Sequence, residues 1–142
     1  MFRYVAFMRG INVSGQKLIK MEDLTKIFTG SGYKNVKTFI QSGNVVFDAG
    51  QADVHALSEM LMAMLSDALG YKVDVILRTY DEISRMVAAD PFAAIGEGRD
   101  VKKYVTFVSR MPPEPFALPM VSPHKDVEVF SIEGADIFSI AL

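Results

Sequence analysis

The chain has 142 residues, 50% hydrophobic and 23% charged, a composition that suits one soluble domain or two small ones and excludes disorder and collagen-like repeats. The absence of cysteine excludes disulfides, zinc–thiolate sites and thiol nucleophiles, and points to a cytoplasmic protein. The longest apolar stretch, around Met60 to Leu65, is far short of the roughly 20 residues a membrane helix needs, and the N-terminal run between Arg3 and Arg9 is too brief for a signal peptide, so no membrane partner is expected.

Charge is uneven. Residues 1 to 47 hold seven Lys and Arg against Glu22 and Asp23, a net of +5, while the remainder carries −7, which recombine to −2. A basic first third points to an anionic partner, although solvated lysines produce the same asymmetry.

Phe2 to Met8 is a near-continuous apolar run, which predicts a central strand buried on both faces and ending at Arg9-Gly10. Met21, Leu24, Ile27 and Phe28 recur at helical spacing, and Gly30-Ser31-Gly32 stops them. Val36 to Ile40 and Asn44 to Phe47 are short β-branched and aromatic runs around Gln41-Ser42-Gly43, which predicts a tight hairpin. Val54, Leu57, Leu61, Met64, Leu65 and Ala68 mark one face of a long helix closed by Gly70, with Met60, Met62 and Met64 expected mostly to fill core space. Val73, Val75 and Leu77 alternate as a fourth strand. The order βαββαβ is that of a ferredoxin-like plait, and the fold class is α+β.

Thr79-Tyr80-Asp81-Glu82 has the T-x-x-E form of a capping box, and Ile83, Met86 and Val87 continue a short helix that ends at Asp90-Pro91. Ala93 to Asp100, with Gly96 and Gly98, reads as a loop and a boundary. Beyond it the chain repeats itself: Lys103-Tyr104-Val105-Thr106-Phe107-Val108 matches Arg3-Tyr4-Val5-Ala6-Phe7-Met8 in type at an offset of 100. Phe130 to Phe138 has the strand, glycine turn, strand shape of Thr38 to Phe47, and the segment before it is shortened and rich in proline. The expectation is a duplicated plait with a truncated second copy: residues 1–78 form the first unit, 79–99 a helical connector and loop, and 100–142 the incomplete second unit.

Tyr4 to Val13 with its R-G-I-N-V core, the segment Lys17 to Met21, Phe39 to Phe47 with Q-S-G-N-V-V-F, and Glu128 to Phe138 together resemble the bacterial domain of unknown function 1697 family. The resemblance spans essentially the whole chain and implies a duplicated ferredoxin-like plait in a bacterial cytosolic protein without an established biochemical function. It also implies that members continue with a T-x-R-N-x-x-T segment, a last helix and a last strand, which this sequence does not contain.

In a βαββαβ plait the end of strand one and the turn between strands two and three lie at the same end of the sheet, as does the start of helix one. Arg9, Gly10, Asn12, Lys17, Lys20, Gln41, Ser42, Gly43 and Asn44 are therefore expected to converge. Backbone amides near glycines, a helix N-terminus, three cations and neutral amide and hydroxyl groups make a candidate pocket for a small phosphorylated or carboxylated ligand. The same residues also suit loop-to-turn hydrogen bonding that only supports the fold. Gly10 to Lys17 is not a P-loop, because the lysine stands one place late and Leu18 replaces the magnesium-binding hydroxyl.

Other chemistry is sparse. His55 and His124 have no carboxylate or second histidine at ligand spacing, and no nucleophile stands near a base, so neither a metal, a cofactor nor a catalysed reaction is expected. RNA-recognition modules share the plait, and Tyr4 or Phe2 with the basic first third permits RNA, yet the aromatic third-strand pattern is missing and nucleic acid is disfavoured. The competing class is an interaction or homo-oligomerisation module in which the unfinished unit presents open strand edges.

Overall fold

A computed structural model of the chain describes residues 1–9, 19–39, 43–95, 101–108 and 117–141. Among these residues it contains two antiparallel four-stranded sheets and three α-helices, an α+β arrangement. No described helix is long and apolar enough to cross a membrane. The backbone divides into two compact units, Met1–Arg85 and Met86–Leu142.

The first unit runs β1 (Phe2–Arg9), α1 (Met21–Gly30), β2 (Lys34–Phe39), β3 (Asn44–Ala49), α2 (Val54–Leu69) and β4 (Asp74–Thr79), and α3 (Tyr80–Ala88) begins within it. The strand order is β2-β3-β1-β4, so β1 is interior, paired antiparallel to both β3 and β4. Four-residue spacing sets Leu57, Leu61 and Leu65 on one stripe of α2, all without solvent exposure. Asp53 caps that helix by accepting from the N–H groups of His55 (3.0 Å) and Ala56 (3.2 Å), and Gly70 ends it at φ 78°, a left-handed conformation that suits glycine. Leu24 and Phe28 of α1 join the same core, which closes over Tyr4, Ala6 and Met8 of β1, Val45, Phe47 and Ala49 of β3, and Val75 and Leu77 of β4. Phe47 sits among the rings of Tyr4, Phe28 and Tyr33, with centroids 5.2 to 5.9 Å away.

Two expectations about burial are corrected. β1 is not covered evenly on both faces: the helices bury Tyr4, Ala6 and Met8, while on the other face Val5 is buried and Arg3 and Phe7 are half-buried, and Phe2, on the face of Tyr4 by alternation, is exposed at the start of the strand. An antiparallel sheet with its helices on one face needs a continuous apolar surface only there. Met60 is exposed because it lies off the Leu57–Leu61–Leu65 stripe, whereas Met62 and Met64 flank the core.

The second unit has a short 3₁₀ turn (Ala93–Ile95) and the strands β5 (Lys102–Phe107), β6 (Met120–Val121), β7 (Val127–Glu133) and β8 (Asp136–Ala141), in the order β5-β8-β7-β6. Ile132 pairs with Ile137 and Ser131 with Phe138, as the hairpin pattern predicts. The internal repeat extends to backbone hydrogen bonds. Met8 N–H donates to Gly43 C=O (3.1 Å) just beyond the β1–β3 pairing, and Val108 N–H donates to Ala135 C=O (2.9 Å) at the matching place beside β5 and β8. The β2–β3 and β7–β8 pairings each contain one register shift, between Lys34 and Lys37 and between Val129 and Ser131. The covering differs. Phe92 packs its ring on Phe130 (5.6 Å) and Phe138 (6.0 Å), whereas Tyr104 is 46% exposed where its counterpart Tyr4 is 1% exposed.

Candidate functional site

Of the nine residues expected to converge, Gly10, Asn12, Lys17, Gln41 and Ser42 lie outside the described residues. Arg9, Lys20, Gly43 and Asn44 are described. The Met8–Gly43 hydrogen bond brings the end of β1 against the start of β3, so Arg9 stands at the sheet end where Gly43 and Asn44 emerge from the β2–β3 connection. Gly43 adopts φ 87°, which its position at that turn requires of glycine. Asn44 pairs opposite Phe7, and side chains alternate along a strand, so Asn44 and Arg9 share the face away from the helices. Asp74 is the register partner of Arg9, and Lys72 lies 3.9 Å from Asp74. Arg9 is exposed and has no ion pair among the described residues.

Lys20 is the N-cap residue of α1, extended at φ −74° and ψ 142°, with no side-chain capping bond. α1 packs on the opposite sheet face from Arg9, so the two cations bracket the sheet end from its two sides. Glu22 and Asp23 occupy the first turn of that helix and complement its partial positive charge.

A second polar assembly occupies the other end of β1. Arg3 Nη1 donates to Asp48 Oδ1 at 2.9 Å, and Asn35 Nδ2 donates to Asp48 Oδ2 at 2.7 Å, tying β1, β3 and β2 through one carboxylate. Hydrogen bonds from Asn35 and Arg3 hold the Asp48 carboxyl below the usual aspartate value. The Arg3 guanidinium lies 5.7 Å from the centroid of the Tyr80 ring. Tyr4 donates its hydroxyl to Gln51 C=O at 2.6 Å, and burial, with Asp53 nearby, raises its pKa. Sequence reasoning counted Arg3 only as part of a basic first third. The signal available was Asp48, the first acid after that segment, but partners 45 residues apart are identified by register and not by spacing.

The capping box is formed: Thr79 N–H donates to Glu82 Oε1 (3.0 Å) and Glu82 N–H to Thr79 Oγ1 (3.1 Å). The statement that no carboxylate stands near His55 is corrected, since Glu59 Oε1 lies 3.9 Å from its Nε2 one helical turn on. Both side chains are largely exposed, the signature of a surface pair. Among the described residues no three His, Cys, Asp or Glu side chains group closely enough to hold a metal ion. Of the two aromatic residues that permit RNA, Tyr4 keeps its ring in the core and presents no face on which a base could stack, whereas Phe2 is exposed.

A family model described as protein of unknown function (DUF1697) matches residues 1–138. Comparison with the curated proteins gives no match. Among solved structures, a conserved bacterial protein from Streptococcus pneumoniae is similar with a TM-score of 0.68 and 19% sequence identity, over 99% of this chain and 77% of that one. At that identity the likeness is one of fold.

Proposed function

Because this chain belongs to the family described as protein of unknown function (DUF1697), we propose that it is a small-ligand-binding protein of the bacterial cytoplasm built on a duplicated ferredoxin-like plait. Residues 1–78 form the complete plait and residues 100–142 a shortened copy. The element order and the strand order β2-β3-β1-β4 support the first. The recurrence of the Met8–Gly43 hydrogen bond as Val108–Ala135 supports the second.

The ligand is a small phosphorylated or carboxylated molecule at the sheet end that carries Arg9. The observation that carries this reading is the Met8–Gly43 bond, which sets an exposed arginine beside a glycine turn and Asn44, with Lys20 entering α1 from the other face. An anion there would gain charge-assisted hydrogen bonds from a guanidinium that forms no ion pair among the described residues. The test is a thermal-shift series with inorganic phosphate, sugar phosphates and nucleotides on the native protein and on Arg9→Gln. Binding by the folded state raises the melting temperature of the native protein by mass action, and that of the variant much less. The empty variant is as stable as the native protein or slightly more so, since it loses a charge that packing does not use. A variant clearly less stable, together with a native protein indifferent to every anion, makes the motif a scaffold.

A second reading rests on β5. Among the described residues it is an edge strand, paired with β8, where its counterpart β1 is flanked by both β3 and β4. The Val108–Ala135 bond fixes the alternation of the ladder, so Val105 directs its N–H away from β8, available to a strand of another chain. Light scattering on the native protein and on Val105→Pro tests it: a dimer that becomes a monomer supports edge pairing, and a native monomer removes it.

A further inference from the structure

We propose that a cavity at the start of β1, distinct from the Arg9 end, binds a small planar anion that also carries a hydrogen-bond donor. The cavity measures about 420 Å³ and is lined by Phe2, Arg3 and Tyr4 of β1, by Thr79 at the end of β4, and by Tyr80, Asp81 and Arg85 of α3. Its size falls in the range of small-molecule sites. Arg3 and Arg9 are six strand steps apart, about 20 Å, so one small ligand cannot serve both ends.

Three features give the cavity its chemistry. The first is a prepositioned guanidinium. Arg3 is fixed from one side by Asp48, itself held by Asn35, and the Arg3–Asp48 hydrogen bond uses Nη1. A guanidinium has five N–H donors in a planar fork, so most of its capacity remains for a carboxylate or phosphate, and a side chain already held in place loses less freedom on binding.

The second is a flat apolar surface. Tyr80 is 47% exposed with Arg3 over its ring, and Phe2 beside it is exposed as well. Exposed aromatic surface next to a guanidinium plane suits the ring of a ligand, which buries apolar area while its anionic substituent meets the cation. The third is a second cation balanced by one acid. Arg85 is exposed and forms no ion pair among the described residues, although Asp81 stands four residues earlier, the spacing at which a helical Asp–Arg pair closes. Glu82 is committed to the capping box, which leaves Asp81 as the acid that lines the cavity. The charge of Arg85 and the N–H groups of Arg3 that Asp48 does not use favour an anion, and Asp81, the acid in the lining, selects one that also offers an N–H or O–H donor.

Adenosine monophosphate and 4-hydroxybenzoate both have this chemistry, one as a nucleotide and the other as an aromatic acid, and inorganic phosphate has the charge without the ring. Isothermal titration calorimetry with these three probes is made on the native protein and on Arg85→Gln, Tyr80→Ala and Arg9→Gln, with circular dichroism to verify that each variant is folded. Arg85 and Tyr80 are exposed, so the variants keep the core intact. The expected result is binding of one or both planar probes, weakened about tenfold or more by Arg85→Gln and by Tyr80→Ala and unchanged by Arg9→Gln. Which probe binds identifies the nucleotide or the aromatic acid as the ligand class. The proposal is overturned if neither planar probe binds at millimolar concentration, if Arg85→Gln and Tyr80→Ala leave binding unchanged, or if inorganic phosphate binds as tightly as the planar probes. Loss of binding in Arg9→Gln alone assigns the anion to the other end of the sheet and overturns it too.

Discussion

Replacing Asp48 by Asn tests whether one carboxylate ties three strands of the first sheet. Asp48 accepts from Arg3 Nη1 at 2.9 Å and from Asn35 Nδ2 at 2.7 Å, and the substitution removes the charge and turns one acceptor into a donor that faces a donor. A hydrogen bond to an ionised group contributes about 1.5–3 kcal/mol when well shielded. The Arg3 and Asp48 side chains are 32% and 18% exposed and Asn35 is exposed, so the solvent-screened range of about 0.2–1 kcal/mol per pair is the better guide. The expected total is about 1 kcal/mol at neutral pH, a fall of roughly 0.3–1 M in the urea midpoint. The pH dependence has a definite sign. Asp48 has a depressed folded-state pKa, so its contribution is complete above the ordinary value near 3.8 and is lost as pH falls through the folded-state value. Urea titrations at pH 7 and pH 3 should therefore show the gap between native protein and variant narrowing in acid. An equal deficit at both pH values, or none at pH 7, would refute the reasoning.

Leu61→Ala empties the centre of the α2 stripe, where the side chain has no exposure, and should cost about 2–5 kcal/mol in urea unfolding. Asp53→Ala removes the acceptor for the His55 and Ala56 N–H groups and should lower stability by about 0.5–2 kcal/mol, with the loss of helical signal on heating starting earlier. Asn35 sits at φ 51° and also bonds Asp48; Asn35→Ala should cost more than Asn35→Gly in urea midpoint, because alanine adds backbone strain to the lost bond.

The elements themselves were legible in the sequence because each depends on neighbours a few residues away. The 3.6-residue recurrence of Leu57, Leu61 and Leu65, the Thr79–Glu82 box, and the repeat of Tyr4 as Tyr104 are local patterns, and the structure contains the elements they predict. That the end of β1 lies beside the turn before β3 was legible too, since it follows from chain order once a βαββ path is accepted, and the Met8–Gly43 bond is its described part. Spacing could not assign sides. It placed Arg9 and Lys20 at one end but not on opposite faces, and it put Met60 in the core although the helix turns that side chain into solvent. Only tertiary structure decided that Arg3 meets Asp48, 45 residues away, and lies over Tyr80. Those contacts depend on the β1–β3 register and on the place where β4 delivers α3, and a one-residue slip in either pairing would turn the same side chains to the other face.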